Sequence, residues 1–265
     1  MDIKLRKMIY KVKFIHKLCI CIVQNKNNKF YKKIKNKYYS IRNLPNNIRR
    51  HDRCFIVGNG PSLNIRDLDS LASEDCFAAN LIFNIFSKTI WRPRYYCVQD
   101  RYARIGNFLE ENDIPFLFVG DYFWRTRGCN NKRAYCFHTE RIEFNEPVKF
   151  SLDIKEKLYD SYTITYIMIQ LAIYMGYREI YLLGIDHNYP FTLDESGKPI
   201  INVNAKEAHF FKDARPDEVI ANVFMMEKAY RKAKEVADSL GIKIYNATRG
   251  GKLEVFERKS IESIR

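Results

Sequence analysis

The stretch CFIVGNGPSL, Cys54 to Leu63, runs four apolar residues into Gly-Asn-Gly-Pro-Ser. Cys54, Phe55, Ile56 and Val57 are short, apolar and β-prone, and read as a buried strand. Gly58 and Gly60 remove every Cβ between backbone and ligand. Pro61 presets a turn dihedral, and Asn59 can donate and accept hydrogen bonds. At the carboxyl end of a parallel strand such a loop can hold phosphate or sugar on backbone N–H groups. It is neither G-x-G-x-x-G nor a Walker loop, since no Lys-Ser/Thr pair follows. An ordinary strand-to-helix turn fits the loop equally well.

Outward from this loop, strand and helix patterns alternate from residue 53 onward. DCFAAN, RYYCVQD and PFLFVG follow as strands, and RAYCFHT reads as one more. SYTITYIMIQLAIYMG, Ser161 to Gly176, is apolar almost all round and predicts a buried helix. REIYLLGID predicts a central strand. Residues 187–216 are polar and read as a loop or lid, and an amphipathic helix is expected over 217–240 before the last strand, IKIYNAT. The expected fold class is α/β: a Rossmann-like, mostly parallel sheet with helices on both faces, a lid insertion and a basic N-terminal helical arm.

Several of these strands end in polar residues: Asn59 between Gly58 and Gly60, then Asn80, Asp100, Asp186, and Asn246 with Thr248. Each alone fits a turn residue. In a parallel sheet all of them share one edge, where open α/β folds bind ligands. A nucleotide-like ligand is therefore expected at that rim.

The charge is uneven. Residues 1–50 hold fifteen Lys/Arg against one acid, Asp2, while the remainder holds thirty of each sign. The net +14 thus belongs to the arm. An electrically balanced body argues against a nucleic-acid-binding domain. In the arm, Leu5, Met8, Ile9, Val12, Ile15, Cys19 and Ile22 recur at helical spacing among lysines. The uncharged run Leu18–Val23 is too short to span a bilayer. Attachment to an anionic membrane surface is expected, with a helix packed on its own domain as the other reading. Two domains follow: residues 1–50 as the arm and residues 51–265 as the catalytic body. Location is expected to be cytoplasmic, peripheral on the inner face of the cell membrane. Seven scattered cysteines, with no C-x-x-C pair, suit reduced thiols and speak against structural zinc.

CFIVGNGPSL, RPRYYCVQD, YTITYIMIQLAIYMGYREIYLLGIDHNY, AHFFKD and IYNATRGGKLEVF, in this order over about residues 50–258, resemble the family related to the motility-associated-factor glycosyltransferases, many of whose members are described as hydroxymethylpterin diphosphokinase-like. GNGPS, GYREIYLLGID and a downstream His also resemble bacterial lipo-oligosaccharide sialyltransferases. The resemblance implies a CMP-activated sugar donor, a glycan or lipid-linked glycan acceptor, and inverting, metal-independent transfer with no cofactor. It implies that Gly58, Asn59, Gly60, Ser62 and Asn80 hold the nucleotide. It also places Thr163 and Thr165, at the start of the buried helix, against the donor, and makes His209 the general base. The chain departs from the sialyltransferases where tyrosines after Gly-Ile-Asp stabilise the leaving phosphate: here stand His187 and Asn188, with Tyr189 one place on. Asp100 lies near an Asn of theirs, and their Ser-Gly helix start reads Ile164-Thr165.

Chemically, a neutral imidazole at His209 can take the proton of an acceptor hydroxyl, and a packing role is the other reading. Asp186 and His187 form a second candidate pair. The aspartate can orient the imidazole, bind a ribose hydroxyl, ligate Mg²⁺ or cap its loop. An Mg-dependent hydroxymethylpterin diphosphokinase is the alternative, with Arg249 as a phosphate contact or a turn cap. A non-catalytic membrane-surface binding protein is the third class. A homo-oligomer stays open.

Overall fold

The computed structural model describes residues 13–100, 103, 105–111, 113–144, 146–195, 197–202, 205, 210 and 221–264, with nothing said of the side chains of 13–17. In chain order the elements are α1 (Lys13–Ile34), β1 (Arg53–Val57), α2 (Ile65–Ser70), β2 (Cys76–Ala79), β3 (Tyr95–Val98), α3 (Phe108–Glu111), β4 (Phe116–Gly120), α4 (Asp121–Arg127), β5 (Ala134–Phe137), β6 (Thr139–Arg141) and β7 (Leu158–Asp160). They continue with α5 (Ile164–Tyr174), β8 (Glu179–Leu183), β9 (Phe191–Leu193), β10 (Pro199–Ile201), α6 (Val223–Ser239), β11 (Lys243–Asn246) and β12 (Glu257–Arg258).

Eight strands form one sheet in the order β12-β11-β8-β1-β2-β3-β4-β5. Every pairing in it is parallel. Alternation along the strands builds two cores. Cys54, Ile56, Phe77, Tyr95 and Cys97 face one side, with α5 and α6. Phe55, Val57, Cys76, Tyr96 and Val98 face the other, with Leu68 of α2 and Phe108 of α3. Helices therefore cover both faces, as strands buried on both sides require. The chain advances from β1 through β5 in one direction, then returns to place β8 on the other side of β1. That reversal opens the crevice of a doubly wound sheet between β1 and β8.

α5 is buried nearly all round because its eleven residues carry almost no polar side chains. It starts at an N-cap on Thr163, whose Oγ1 accepts from Thr165 N at 3.2 Å. α6 starts later than its periodicity suggests, at an Asn222 cap whose side chain accepts from Met225 N. The polar segment after β8 carries a small antiparallel hairpin, β9–β10, which strand propensity alone does not announce.

The arm departs most from its reading as a separate segment. Beyond about Gln24 it packs on the body. Asn27, Tyr31 and Ile34 are buried. Gln24 Nε2 donates to Thr139 O at 2.7 Å, Arg125 Nε donates to Asn27 Oδ1 at 2.9 Å, and Tyr31 stacks on His138 at 4.8 Å. Ile41, Leu44 and Ile48 then enter the main core. Arg50 closes the segment by pairing with Asp75, a fully buried carboxylate that also accepts from Tyr177 OH at 2.7 Å. Apolar residues with helical or extended spacing sit among the lysines, and the body's edge strand β5 supplies the surface they cover. Five cysteines are buried thiols, but Cys19 and Cys21, in the first half of α1, are exposed. Among the described residues no helix is long and apolar enough to cross a membrane.

Candidate active site

Parallel pairing continues past the ends of β1 and β8: Gly58 N donates to Leu183 O at 2.8 Å and Gly60 N to Gly184 O at 2.9 Å. The two loops are thus laced together. A Cβ on Gly58 would lie 2.4 Å from Gly184 O, and one on Gly60 1.9 Å from Asp186 Oδ2. The glycines of GNGPS are needed first for this close approach between loops. Asp186 completes the clasp by accepting from Ser62 Oγ at 2.7 Å and Ser62 N at 3.2 Å. Its backbone O accepts from Lys252 N at 2.7 Å. Burial raises the Asp186 carboxyl above its ordinary range, and the Ser62 bonds oppose that shift. Asp186 is therefore a brace of the GNGPS loop, and its carboxylate is directed at Ser62 rather than at an imidazole.

The rim around this clasp holds unsatisfied groups. Among the described residues, four buried side-chain polar atoms lack a hydrogen-bond partner: Asn59 Oδ1, Asn80 Oδ1, His187 Nε2 and Trp91 Nε1. The first three follow β1, β2 and β8, adjacent strands of the sheet. Trp91 lies elsewhere, beside the Cys76 thiol. Asn59 is aimed by its own amide, which donates to Ala79 O at 3.2 Å. Asn80 is held with φ +56°, and its backbone O accepts from Tyr96 OH at 2.5 Å. His187 has φ +52° and Tyr162, just before the α5 cap, φ +63°. Asn tolerates the left-handed region, whereas at His187 and Tyr162 it costs about 1 kcal/mol or more, and such strain collects at ligand sites.

α5 precedes β8 and runs against it, so its N-terminus lies on the same rim. Thr163 Oγ1 is 3.4 Å from Tyr230 OH. Tyr230 in turn packs edge-on to His187 at 5.6 Å, and Tyr189 does so at 6.4 Å. Only 6% exposed, His187 is held below its ordinary pKa by burial, with Glu227 opposing. Asn188 Oδ1 accepts from Asn202 Nδ2 at 2.9 Å, which ties the strand end to the hairpin segment. Thr165 is buried beneath the cap.

Asp100 does not join this group. It ends β3, three strands from β8, which separates it from Asp186 by about 14 Å across the sheet. The two carboxylates cannot share one ion. Among the described residues, no three His, Cys, Asp or Glu side chains converge as metal ligands. Among the described residues, the rim does not bring the Asp100 and Asp186 carboxylates together. Arg249 pairs with Asp67 of α2 and with Glu262, so it caps structure rather than a phosphate. Thr248 Oγ1 accepts from Ile185 N at 3.1 Å, and Asn246 Nδ2 donates to Leu253 O at 2.8 Å: both brace the rim. His209 lies outside the described residues. The residue after it, Phe210, donates its N–H to Asn59 O at 2.7 Å.

Residues 27–191 match the family described as MptE-like, 6-hydroxymethylpterin diphosphokinase MptE-like. The chain belongs to the MptE-like family. The match begins at Asn27, the first buried residue among those of α1 whose side chains are described, which agrees with the packing of that helix as part of the domain. Among solved structures the MptE-like chain is similar to the MAf glycosyltransferase from Magnetospirillum magneticum AMB-1, at 16% identity and a TM-score of 0.53. The likeness covers 89% of this chain and 39% of that one, and it is one of fold. No curated protein sequence matches.

Two features of the MptE-like chain escape sequence reasoning. Tyr230 sits in the apolar stripe of α6 with Met226, Ala233 and Ala237, and only the fold turns it toward His187. Asp121, fully buried at the start of α4, accepts from Thr139 Oγ1 at 3.1 Å and lies 2.5 Å from His138 Nδ1. The spacing of 17 residues across two strands carries no local signal.

Proposed function

We propose that this chain is a glycosyltransferase that moves a sugar acid from a CMP-activated donor to a hydroxyl of a glycan or lipid-linked glycan acceptor. One observation carries the reading: three buried polar atoms, Asn59 Oδ1, Asn80 Oδ1 and His187 Nε2, lack partners on the adjacent ends of β1, β2 and β8. Leaving such groups unpaired costs about 1–3 kcal/mol each. A ligand with several hydroxyls and donors, such as ribose and a cytosine amine, would satisfy them. The start of α5 at Thr163 faces the same rim and favours the donor phosphate. Fold likeness to the MAf glycosyltransferase supports the class.

In this reading His187, kept neutral by burial, accepts a hydrogen bond from donor or acceptor, and Tyr189 and Tyr230 shape its pocket. His209 takes the acceptor's proton as the new bond to the anomeric carbon forms, while the bond to the nucleotide phosphate breaks. The docking of Phe210 on Asn59 supports its neighbourhood to the donor loop. The family description supports a second reading, diphosphoryl transfer to a hydroxymethylpterin with Mg²⁺.

A thermal-shift screen with CMP, CDP, UDP, GTP and hydroxymethylpterin, with and without Mg²⁺, separates the two. Stabilisation by CMP without metal is the expected result. Stabilisation only by GTP or the pterin with Mg²⁺ would favour the kinase reading. Given a donor, His209→Ala should lower turnover by roughly 10²-fold or more with donor affinity unchanged. Near-normal turnover would transfer the role to His187.

A further inference from the structure

α1 runs against the strands along the β5 edge. Gln24 meets Thr139, just past the carboxyl end of β5. Tyr31 and Ile34 lie lower, against His138 and Cys136. Ser40 bridges to Cys136, and Ile48 O accepts from Arg94 Nε at 3.1 Å, just ahead of the start of β3. The chain thus descends from the rim to the opposite edge. Residues 13–23 continue the helix the other way, about 16 Å past Gln24 at 1.5 Å per residue.

This overhang has two faces. Ile20 and Val23 are half-buried and continue the stripe of Asn27, Tyr31 and Ile34. On the opposite side Leu18 is 50% exposed and Ile22 46% exposed, with Cys19 and Cys21 exposed beside them. One turn further along the same outer face come Lys26, Lys29 and Lys33, all exposed. The helix carries no acidic residue. An apolar tip followed by a row of lysines with no counter-charge of its own matches a surface of acyl chains beneath anionic headgroups.

We propose that the outer face of α1 docks on an anionic lipid bilayer, with Leu18 and Ile22 entering the interface and Lys26, Lys29 and Lys33 pairing with headgroups. The overhang starts at the rim that carries Asn59, Asn80 and His187, so docking holds that rim toward the membrane. Its consequence, that the acceptor is presented by a lipid, rests on the transferase reading; the docking itself does not.

The test uses the full chain in co-sedimentation with vesicles of phosphatidylcholine alone or mixed with phosphatidylglycerol. Wild type should bind the anionic vesicles at about 0.1 M salt, ignore the neutral ones and be released near 1 M salt, where screening shortens to about 3 Å. Leu18→Asp/Ile22→Asp should abolish sedimentation. Lys26→Gln/Lys29→Gln/Lys33→Gln should weaken it roughly a hundredfold, from about one lysine-headgroup contribution per residue. Both variants should keep the melting temperature and the CMP response of wild type. Equal binding to neutral vesicles, or unchanged binding in either variant, overturns the proposal. Self-association without lipid that Leu18→Asp/Ile22→Asp removes would give the face to a second copy and also overturn it. CMP titration reads the rim alone, so failure of the transferase reading and failure of docking are seen separately.

Discussion

Ser62 Oγ donates to Asp186 Oδ2 at 2.7 Å, joining loops 124 residues apart across the reversal between β1 and β8. Around it, Gly60 leaves no room for a Cβ. Gly60→Ala must push Asp186 or the Gly184 carbonyl aside. A loss of about 3 kcal/mol is expected, from overpacking without easy relief. Ser62→Ala, which leaves the space and removes one bond to a carboxylate, should cost about 1.5–3 kcal/mol. Denaturant titration of both variants checks the order, Gly60→Ala being the more damaging.

Asn59→Ala removes an unpartnered acceptor and a bond to Ala79 O. Asn80→Gly removes an unpartnered acceptor and keeps the left-handed φ of +56° without strain. Each should weaken CMP binding by at least tenfold in calorimetry with little change in melting temperature. Wild-type affinity in both would put the nucleotide elsewhere.

Burial holds His187 below the ordinary imidazole pKa. The unfolded chain therefore takes up this proton first as pH falls below about 6.5, and the folded state loses stability there. Above that pH neither state holds the proton and the penalty is absent. His187→Asn, a residue that tolerates left-handed φ, should flatten the acid limb of stability between pH 7.5 and about 5.5. Asp186 works in the opposite sense at lower pH, because burial raises its pKa. An unchanged slope in the variant would show that His187 is not the group being titrated.

Deleting residues 1–50 removes Tyr31, Ile34, Ile41, Leu44 and Ile48 from the core. At about 1.5–3 kcal/mol per buried side chain this is comparable with the stability of a whole domain, so the truncated chain should not fold. Deletion of residues 1–17 leaves the packed half of α1 and should keep the circular-dichroism spectrum and cooperative melting of the full chain. A folded chain lacking residues 1–50 would show that the arm is dispensable to the core.

The alternation of Cys54–Val57 and the apolar runs at β2, β3, β4 and β8 are local properties, and they were legible as a parallel sheet with both faces covered. The polar residues at the strand ends were legible too, because pattern and turn chemistry lie within a few residues of each other. The charge of the first 50 residues was equally plain, but not that their second half packs on the body: lysines dominate the composition while Tyr31, Ile41 and Ile48 do the packing.

Tertiary structure decided which strand ends meet. Strand order put β8 beside β1, so Asp186 met Ser62 and not Asp100, although all three read alike as strand-end polar residues. The same order committed Arg249 to Asp67, 182 residues away, and turned Tyr230 from a helix stripe toward His187. Hydrophobic period is written along the chain, whereas a side chain's partner depends on register and crossover between distant segments. The sequence by itself determined the layers and the rim of this protein, and only the assembled sheet decided which rim residues brace one another and which are left unpaired.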